Sequence, residues 1–200
     1  MSTSRRKAAF LDRDGVLNAD RAYLHRPEDF EILPGVLPAL RLLAEQHHAL
    51  VVVTNQSGIA RGMYVEADYE RLRDHLRGLF ATEGIVFDGI YHCPHHPEAA
   101  VERYRVACDC RKPAPGLLRR AAEELDLDLP ASLLVGDKPS DIQAGRAAGV
   151  GRCYLVGAAA IEAAASDAPL APPSDPSTTA DAVFPDLLRC VRTVCLGESP

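Results

Sequence analysis

Five short apolar runs, each ending abruptly in polar residues, constrain the fold more than any other feature: AAFLDRD (8–14), ALVVVTNQ (49–56), FDGIYHCP (87–94), ASLLVGDK (131–138) and GRCYLVG (151–157). Runs of this kind suit strands buried on both faces, as in parallel sheets. Helical spacing lies between them. Residues 35–47 place Val36, Leu37, Leu40 and Leu43 on one face, and 66–83 do the same with Tyr69, Leu72, Leu76, Leu79 and Phe80. Leu117, Leu118, Ala121, Ala122 and Leu125 mark a helix over 115–126, and Pro139 sits near the first turn of another over 139–148. Strand and helix in alternation predict an α/β three-layer sandwich around a parallel sheet. Residues 182–196 add a short strand and a helix started by Pro185, after an Ala/Pro/Ser-rich stretch (157–181) that reads as a mobile surface connection.

Two hundred residues with 47% apolar content suit one domain, 1–200. A formal charge of −6 provides no basic field for nucleic acid or anionic lipid, so an anionic ligand must be met by local clusters. A small molecule is the expected partner. The N-terminal segment lacks a signal-type apolar stretch and no run approaches a membrane span, so a cytoplasmic protein acting as a monomer is expected. Its six cysteines are then thiols, of which Cys153, Cys190 and Cys195 read as small buried hydrophobes.

Ligands of open parallel sheets gather at the carboxyl ends of the strands. Four strands deliver polar groups there: Asp12 and Asp14, then Thr54 and Asn55, then the loop carrying Cys93, and finally Asp137 and Lys138. Two carboxylates at i and i+2 of extended chain can share a side, one to attack and one to move a proton, and Gly15 lets the chain turn away. Gathered together, Asp12, Asp14 and Asp137 repel one another without a cation, and oxygen ligands of this kind suit Mg²⁺. Asp141 is either a partner that orients Lys138 or an acid favouring a helix N-terminus.

Cys93, Cys108 and Cys110 with one histidine of His92, His95 and His96 make a full tetrahedral zinc set. With no position left for substrate, such a site is structural, and it staples loop 92–111 beside Arg111 and Lys112. A zinc-knuckle module that recognises RNA or a partner protein through 93–113 is the rival reading, but the segment has only Tyr104 to stack on a base and the chain is acidic overall.

FLDRDGVLN (10–18), VVVTNQ (51–56), RKP (111–113) and LLVGDKPSD (133–141), in this order, resemble the four motifs of the haloacid dehalogenase superfamily. The resemblance implies a Rossmann-like sandwich of haloacid dehalogenase type without a separate cap domain. It also implies an aspartyl-phosphate mechanism: Asp12 as nucleophile, Asp14 as acid and base, Thr54 and Lys112 around the phosphoryl group, and Mg²⁺ on the Asp12 side chain, the Asp14 backbone carbonyl and Asp137. The loop ending in CDCRKPAPG is similar to the branch of histidinol-phosphate and heptose-bisphosphate phosphatases, with the match running over about residues 8–157. By that match the zinc ligands are Cys93, His95, Cys108 and Cys110. Asp20, Tyr23, Asn55, Gln56, Ser57 and Lys138 line the substrate site, and Arg111 recognises the phosphate that is not cleaved. The implied substrate is a sugar bisphosphate, heptose 1,7-bisphosphate losing its 7-phosphate; histidinol phosphate is the alternative.

Overall fold

The computed structural model describes residues 5–157 and 179–198. Among the described residues six parallel strands form one sheet: β1 (Ala8–Leu11), β2 (Ala49–Asn55), β3 (Gly89–Cys93), β4 (Leu133–Gly136), β5 (Arg152–Val156) and β6 (Ala182–Phe184). The order across the sheet is β3-β2-β1-β4-β5-β6. The chain therefore reverses its direction of winding between β1 and β4, which opens a crevice at their carboxyl ends.

Alternation of side chains splits each strand between two cores. Ala9, Leu11, Leu50, Val52 and Val135 face one layer, which contains α1 (Val36–Glu45), α3 (Glu66–Thr82) and the last helix, α6 (Leu187–Leu196). Ala8, Phe10, Val51, Val53 and Leu134 face the other, with α4 (Gly116–Glu124) and α5 (Pro139–Ala148). Strand runs that read as continuously apolar are thus two alternating sets, each covered by helices. The predicted three-layer sandwich is what forms.

The differences from expectation are local. A four-residue helix, α2 (Ser57–Ala60), follows β2 after Gln56, an element the apolar spacing did not mark. The last helix starts from Asp186 rather than Pro185, because the Asp186 carboxylate accepts the Arg189 backbone N–H at 2.8 Å, a bond proline cannot provide. Most of the connection read over 157–181 lies outside the described residues. Among the described residues no helix is long and apolar enough to cross a membrane.

Candidate active site

Asp12 leaves β1 with its N–H bonded to Val135 O at 3.0 Å, so the first residue after β1 is pinned beside β4. Asp137, the first after β4, lies next to it. The Lys112 ammonium is buried beside Asp12 and uses its three donors on Asp12 Oδ1 (2.8 Å), Asp141 Oδ1 (2.6 Å) and Val53 O (2.8 Å). Burial alone would lower the Lys112 pKa, but the Asp12 and Asp141 carboxylates overcome it and push it up. Lys112 is therefore a fixed positive charge. Asn55 holds the segment that carries it, donating to Lys112 O and accepting from Lys112 N, both at 3.0 Å.

Asp12 is itself raised above the ordinary carboxylate range, chiefly by burial and against the pull of Lys112. Asp137 is pushed up to about 7 by burial and then by the neighbouring Asp12 charge. Its Oδ1 is buried with no hydrogen-bond partner. Carboxyl oxygens of Asp12, Asp137 and Asp141 lie within 4.8 Å of one another. An orphaned hard oxygen in a cluster short of positive charge fits a divalent cation such as Mg²⁺. Gly15 is required by this packing: with φ +83°, any Cβ there would sit 2.4 Å from Asp137 Oδ2.

Of the carboxylates expected to gather, Asp12 and Asp137 lie in this cluster with Asp141, while the Asp14 side chain is not among its members; the magnesium ligand expected at Asp14 is its backbone carbonyl. The Asp14 side chain turns away from the cluster and is held by Arg13 (2.7 Å), by Asn18 Nδ2 (2.9 Å) and by Gln56 Nε2 (3.2 Å). Arg13 is only 2% exposed, and its position between two aspartates gave no sign that it would turn inward. Asp141 takes the second of its two expected roles and adds a third. Its Oδ2 accepts the Lys138 backbone N–H at the start of α5, while Oδ1 holds Lys112 rather than the Lys138 side chain.

A cavity of about 250 Å³ adjoins this centre through Asn55, which bonds Lys112, and Lys138, which lies by Asp137; it is lined by Asp14, Asp20, Tyr23, Asn55, Gln56, Ser57, Tyr64 and Lys138, among others. All six residues expected to line a substrate site with Lys138 and Asn55 among them are present; Arg111 lies outside this lining. Asp20 accepts from Lys138 Nζ at 3.2 Å, which ties the flap after β1 to the end of β4. The Gln56 amide is oriented by three bonds: Tyr64 OH donates to its Oε1 (2.7 Å), while its Nε2 donates to Thr54 Oγ1 (2.9 Å) and to Asp14. Thr54 is thereby fixed at the mouth of β2. Tyr64, which no local pattern marks, comes this close because a Cβ on Gly58 would meet its ring at 2.1 Å. His25 of the flap stacks on the Tyr64 ring, centroids 5.0 Å apart.

Arg111 and Lys112 follow a second cluster, in which ligand atoms of Cys93, His95, Cys108 and Cys110 all lie within 4.8 Å of one another. His95 Nδ1 is 3.3 Å from Cys110 Sγ, and Cys93 Sγ is 3.6 Å from Cys108 Sγ. Burial raises the Cys93 thiol and pushes Cys110 up to about 11, so unmetallated they stay protonated, while a metal ion bound there would take them as thiolates. The other two histidines are elsewhere. His92 packs against the Tyr69 ring, its pKa lowered to about 4 chiefly by burial, and His96 meets Arg61.

Residues 109–189 match the family model described as HAD-hydrolase-like. Over 149 residues the chain is 51% identical to the D-glycero-beta-D-manno-heptose-1,7-bisphosphate 7-phosphatase of Escherichia coli K12, a match that spans 74% of this chain and 78% of that one. The chain belongs to the heptose-1,7-bisphosphate 7-phosphatase family. The alpha-named member of this family from Burkholderia mallei is equally similar, 51% identical over 150 residues, 75% of this chain and 79% of that one. Among solved structures, the D,D-heptose 1,7-bisphosphate phosphatase of B. bronchiseptica, complexed with magnesium and phosphate, superposes with a TM-score of 0.77 at 33% identity, covering 96% of this chain and 99% of that one. A had-like phosphatase from Mesorhizobium loti gives 0.78 at 33% identity, covering 95% and 88%. Phosphatase chemistry of the haloacid dehalogenase type is thus a property of the family whose fold and strand-end carboxylates this chain carries.

Proposed function

We propose that the chain removes the 7-phosphate of D-glycero-D-manno-heptose 1,7-bisphosphate through a phosphoenzyme formed on Asp12. The observation that carries the reading is the buried Asp12–Lys112–Asp141 arrangement at the β1/β4 crevice, next to a cavity lined by polar groups. Support for the substrate is the family's 51% identity over 149 residues.

Asp12 Oδ attacks phosphorus, forming the acyl phosphate bond as the bond from phosphorus to the sugar oxygen breaks. Asp14 gives that oxygen its proton. Water then attacks the same phosphorus, returns a proton to Asp14, and displaces Asp12 with release of inorganic phosphate. Thr54 and Lys112 hold the transferring oxygens, with Lys112 already placed on the nucleophile. Arg13, Asn18 and Gln56 hold the proton-transfer carboxyl at the side of the cavity. Asp12, Asp137 and the Asp14 backbone carbonyl would hold Mg²⁺, which supplies charge neutralisation between anionic nucleophile and anionic phosphate. Asp20, Tyr23, Asn55, Gln56, Ser57 and Lys138 face the sugar, and Arg111 meets the remaining phosphate.

The thiol cluster is read as structural zinc. Its three thiols and one imidazole are the donor set of a closed tetrahedral site with no place for substrate, and its contacts of 3.1, 3.3 and 3.6 Å lie at or somewhat below the roughly 3.5–3.8 Å edges that zinc bonds impose. Elemental analysis of the purified protein is expected to return one zinc per chain. Cys108→Ser is expected to lower that content and to open the 96–107 segment to protease, with activity falling through loss of Arg111 and Lys112 placement. Full zinc occupancy in the serine variant would refute the assignment.

The same reading takes the chain as one phosphatase domain without a separate cap, acting in the cytoplasm as a monomer and supplying heptose for lipopolysaccharide or nucleotide-activated sugar. The deciding experiment is phosphate release from both anomers of the bisphosphate and from histidinol phosphate, side by side. The bisphosphate is expected to turn over best. Equal or faster release from histidinol phosphate would reverse the choice of substrate.

A further inference from the structure

Gln56 lines the cavity, yet its amide is spent inward. Nε2 carries two hydrogens and both are used, one on Thr54 Oγ1 at 2.9 Å and one on Asp14 Oδ2 at 3.2 Å. Oε1 accepts the Tyr64 hydroxyl at 2.7 Å. Gln56 is only 3% exposed, so an amide turned end for end would press Oε1 against the Asp14 carboxylate, acceptor on acceptor, in a poorly solvated place. One orientation is therefore allowed, and it demands a donor at Oε1. Among the described residues Tyr64 is the donor that Oε1 has.

This orientation passes on to both groups that Gln56 touches. A hydroxyl has one hydrogen to give, and with Gln56 bonded to a lone pair of Oγ1, the Thr54 hydrogen has no acceptor among the described residues. It is free for an oxygen of the transferring phosphoryl group. On Asp14, the other side-chain donors, Arg13 and Asn18, are its neighbours in sequence, whereas Gln56 reaches across from the end of β2. The phosphoryl-holding hydroxyl and the proton-transfer carboxyl thus share one amide, whose direction Tyr64 sets.

Tyr64 is held firmly for this. Its ring is buried and packs with Ile59, Ala60, Tyr69, Ala99 and Tyr104 in a small third core. His25 of the flap covers it with ring planes 10° apart, and His25 is itself fixed by Nδ1 donating to Tyr23 O at 2.9 Å. Burial raises the hydroxyl above the ordinary tyrosine pKa, so it keeps its hydrogen and stays a donor.

We propose that Tyr64 is a positioning residue for phosphoryl transfer, acting through Gln56 to aim the Thr54 hydroxyl at the phosphoryl group and the Asp14 carboxyl at the leaving oxygen. The inference rests on the Asp12 phosphoenzyme reading above. It predicts a dependence on the leaving group, because a sugar alkoxide needs the proton of Asp14 and a nitrophenolate does not.

The test measures kcat/KM on heptose 1,7-bisphosphate and on p-nitrophenyl phosphate for wild type, Tyr64→Phe, Gln56→Leu and the double variant. This parameter covers the steps up to the phosphoenzyme, so the later work of Asp14 on water does not enter. Tyr64→Phe keeps the ring and its packing and removes the hydroxyl alone. Its kcat/KM is expected to fall on both substrates, with the sugar-to-aryl ratio falling roughly tenfold, the worth of one hydrogen bond. Gln56→Leu is expected to lower the ratio at least as far, and Tyr64→Phe to add no further loss in that background, since the two act as one unit. An unchanged ratio in Tyr64→Phe, or losses that multiply in the double variant, overturns the proposal. Should Tyr64→Phe not fold, an unchanged ratio in Gln56→Leu removes the route by which Tyr64 acts and overturns it equally. A wild type that hydrolyses p-nitrophenyl phosphate without forming a phosphoenzyme on Asp12 instead removes the underlying reading, so the two failures are told apart.

Discussion

Asp12→Asn is expected to abolish turnover, with kcat falling on the order of 10⁴-fold or more, because the amide neither attacks phosphorus nor forms the acyl phosphate. The fold should survive. Asparagine has the shape of aspartate and keeps an oxygen for the Lys112 ammonium, whose other partners, Asp141 at 2.6 Å and Val53 O at 2.8 Å, are untouched. Thermal unfolding close to that of wild type, together with absence of a phosphorylated intermediate in rapid-quench samples, is the combined result expected. Retention of wild-type turnover would move the nucleophile to another residue.

Lys112→Met carries the largest expected loss of stability. It removes the one ammonium that neutralises Asp12 and Asp141, both nearly fully buried, and leaves two carboxylates beside Asp137 in a poorly solvated site. Breaking a buried pair by taking one partner typically costs about 3–5 kcal/mol. The pH dependence follows from the sign of the shifts. Asp12 and Asp137 have folded pKa values raised above the unfolded ones, so their charged forms oppose folding, and increasingly so as pH rises from the ordinary carboxylate range toward the raised values, about 7 for Asp137. Without Lys112 that opposition grows. Denaturant unfolding in chelator-containing buffer should therefore show a difference between variant and wild type that is large at pH 8 and shrinks toward pH 5. A constant difference across this window would argue that lost packing, rather than stranded charge, is responsible.

Much of the architecture was legible because burial leaves a local signature. Strands of four to seven mostly apolar residues and the helical spacing of Tyr69, Leu72, Leu76 and Phe80 are consequences of which faces avoid water, and those faces are the buried ones. The position of Asp12, Thr54 and Asp137 at strand ends was equally local. So was the spacing of Cys93, His95, Cys108 and Cys110, although residue types alone left three histidines open; the family resemblance pointed to His95, and the geometry agrees by placing His92 on Tyr69 and His96 on Arg61.

Partner choice among charged side chains was not legible. Asp141 and Lys112 are far apart in sequence, and nothing nearby in either segment tells that β4 lies beside β1 and brings them to 2.6 Å. Arg13 turned inward onto Asp14, and Tyr64 came to rest on Gln56 over Gly58, for the same kind of reason. An electrostatic contact has no period along the chain; it depends on which strands are neighbours and on how deeply each charge is buried. The sequence by itself determined the layers, the strand ends and the donors available to a metal, since each follows from short-range patterning. The tertiary structure alone decided which carboxylate each cation satisfies, because that choice is set by sheet order and by the free energy of removing charges from water.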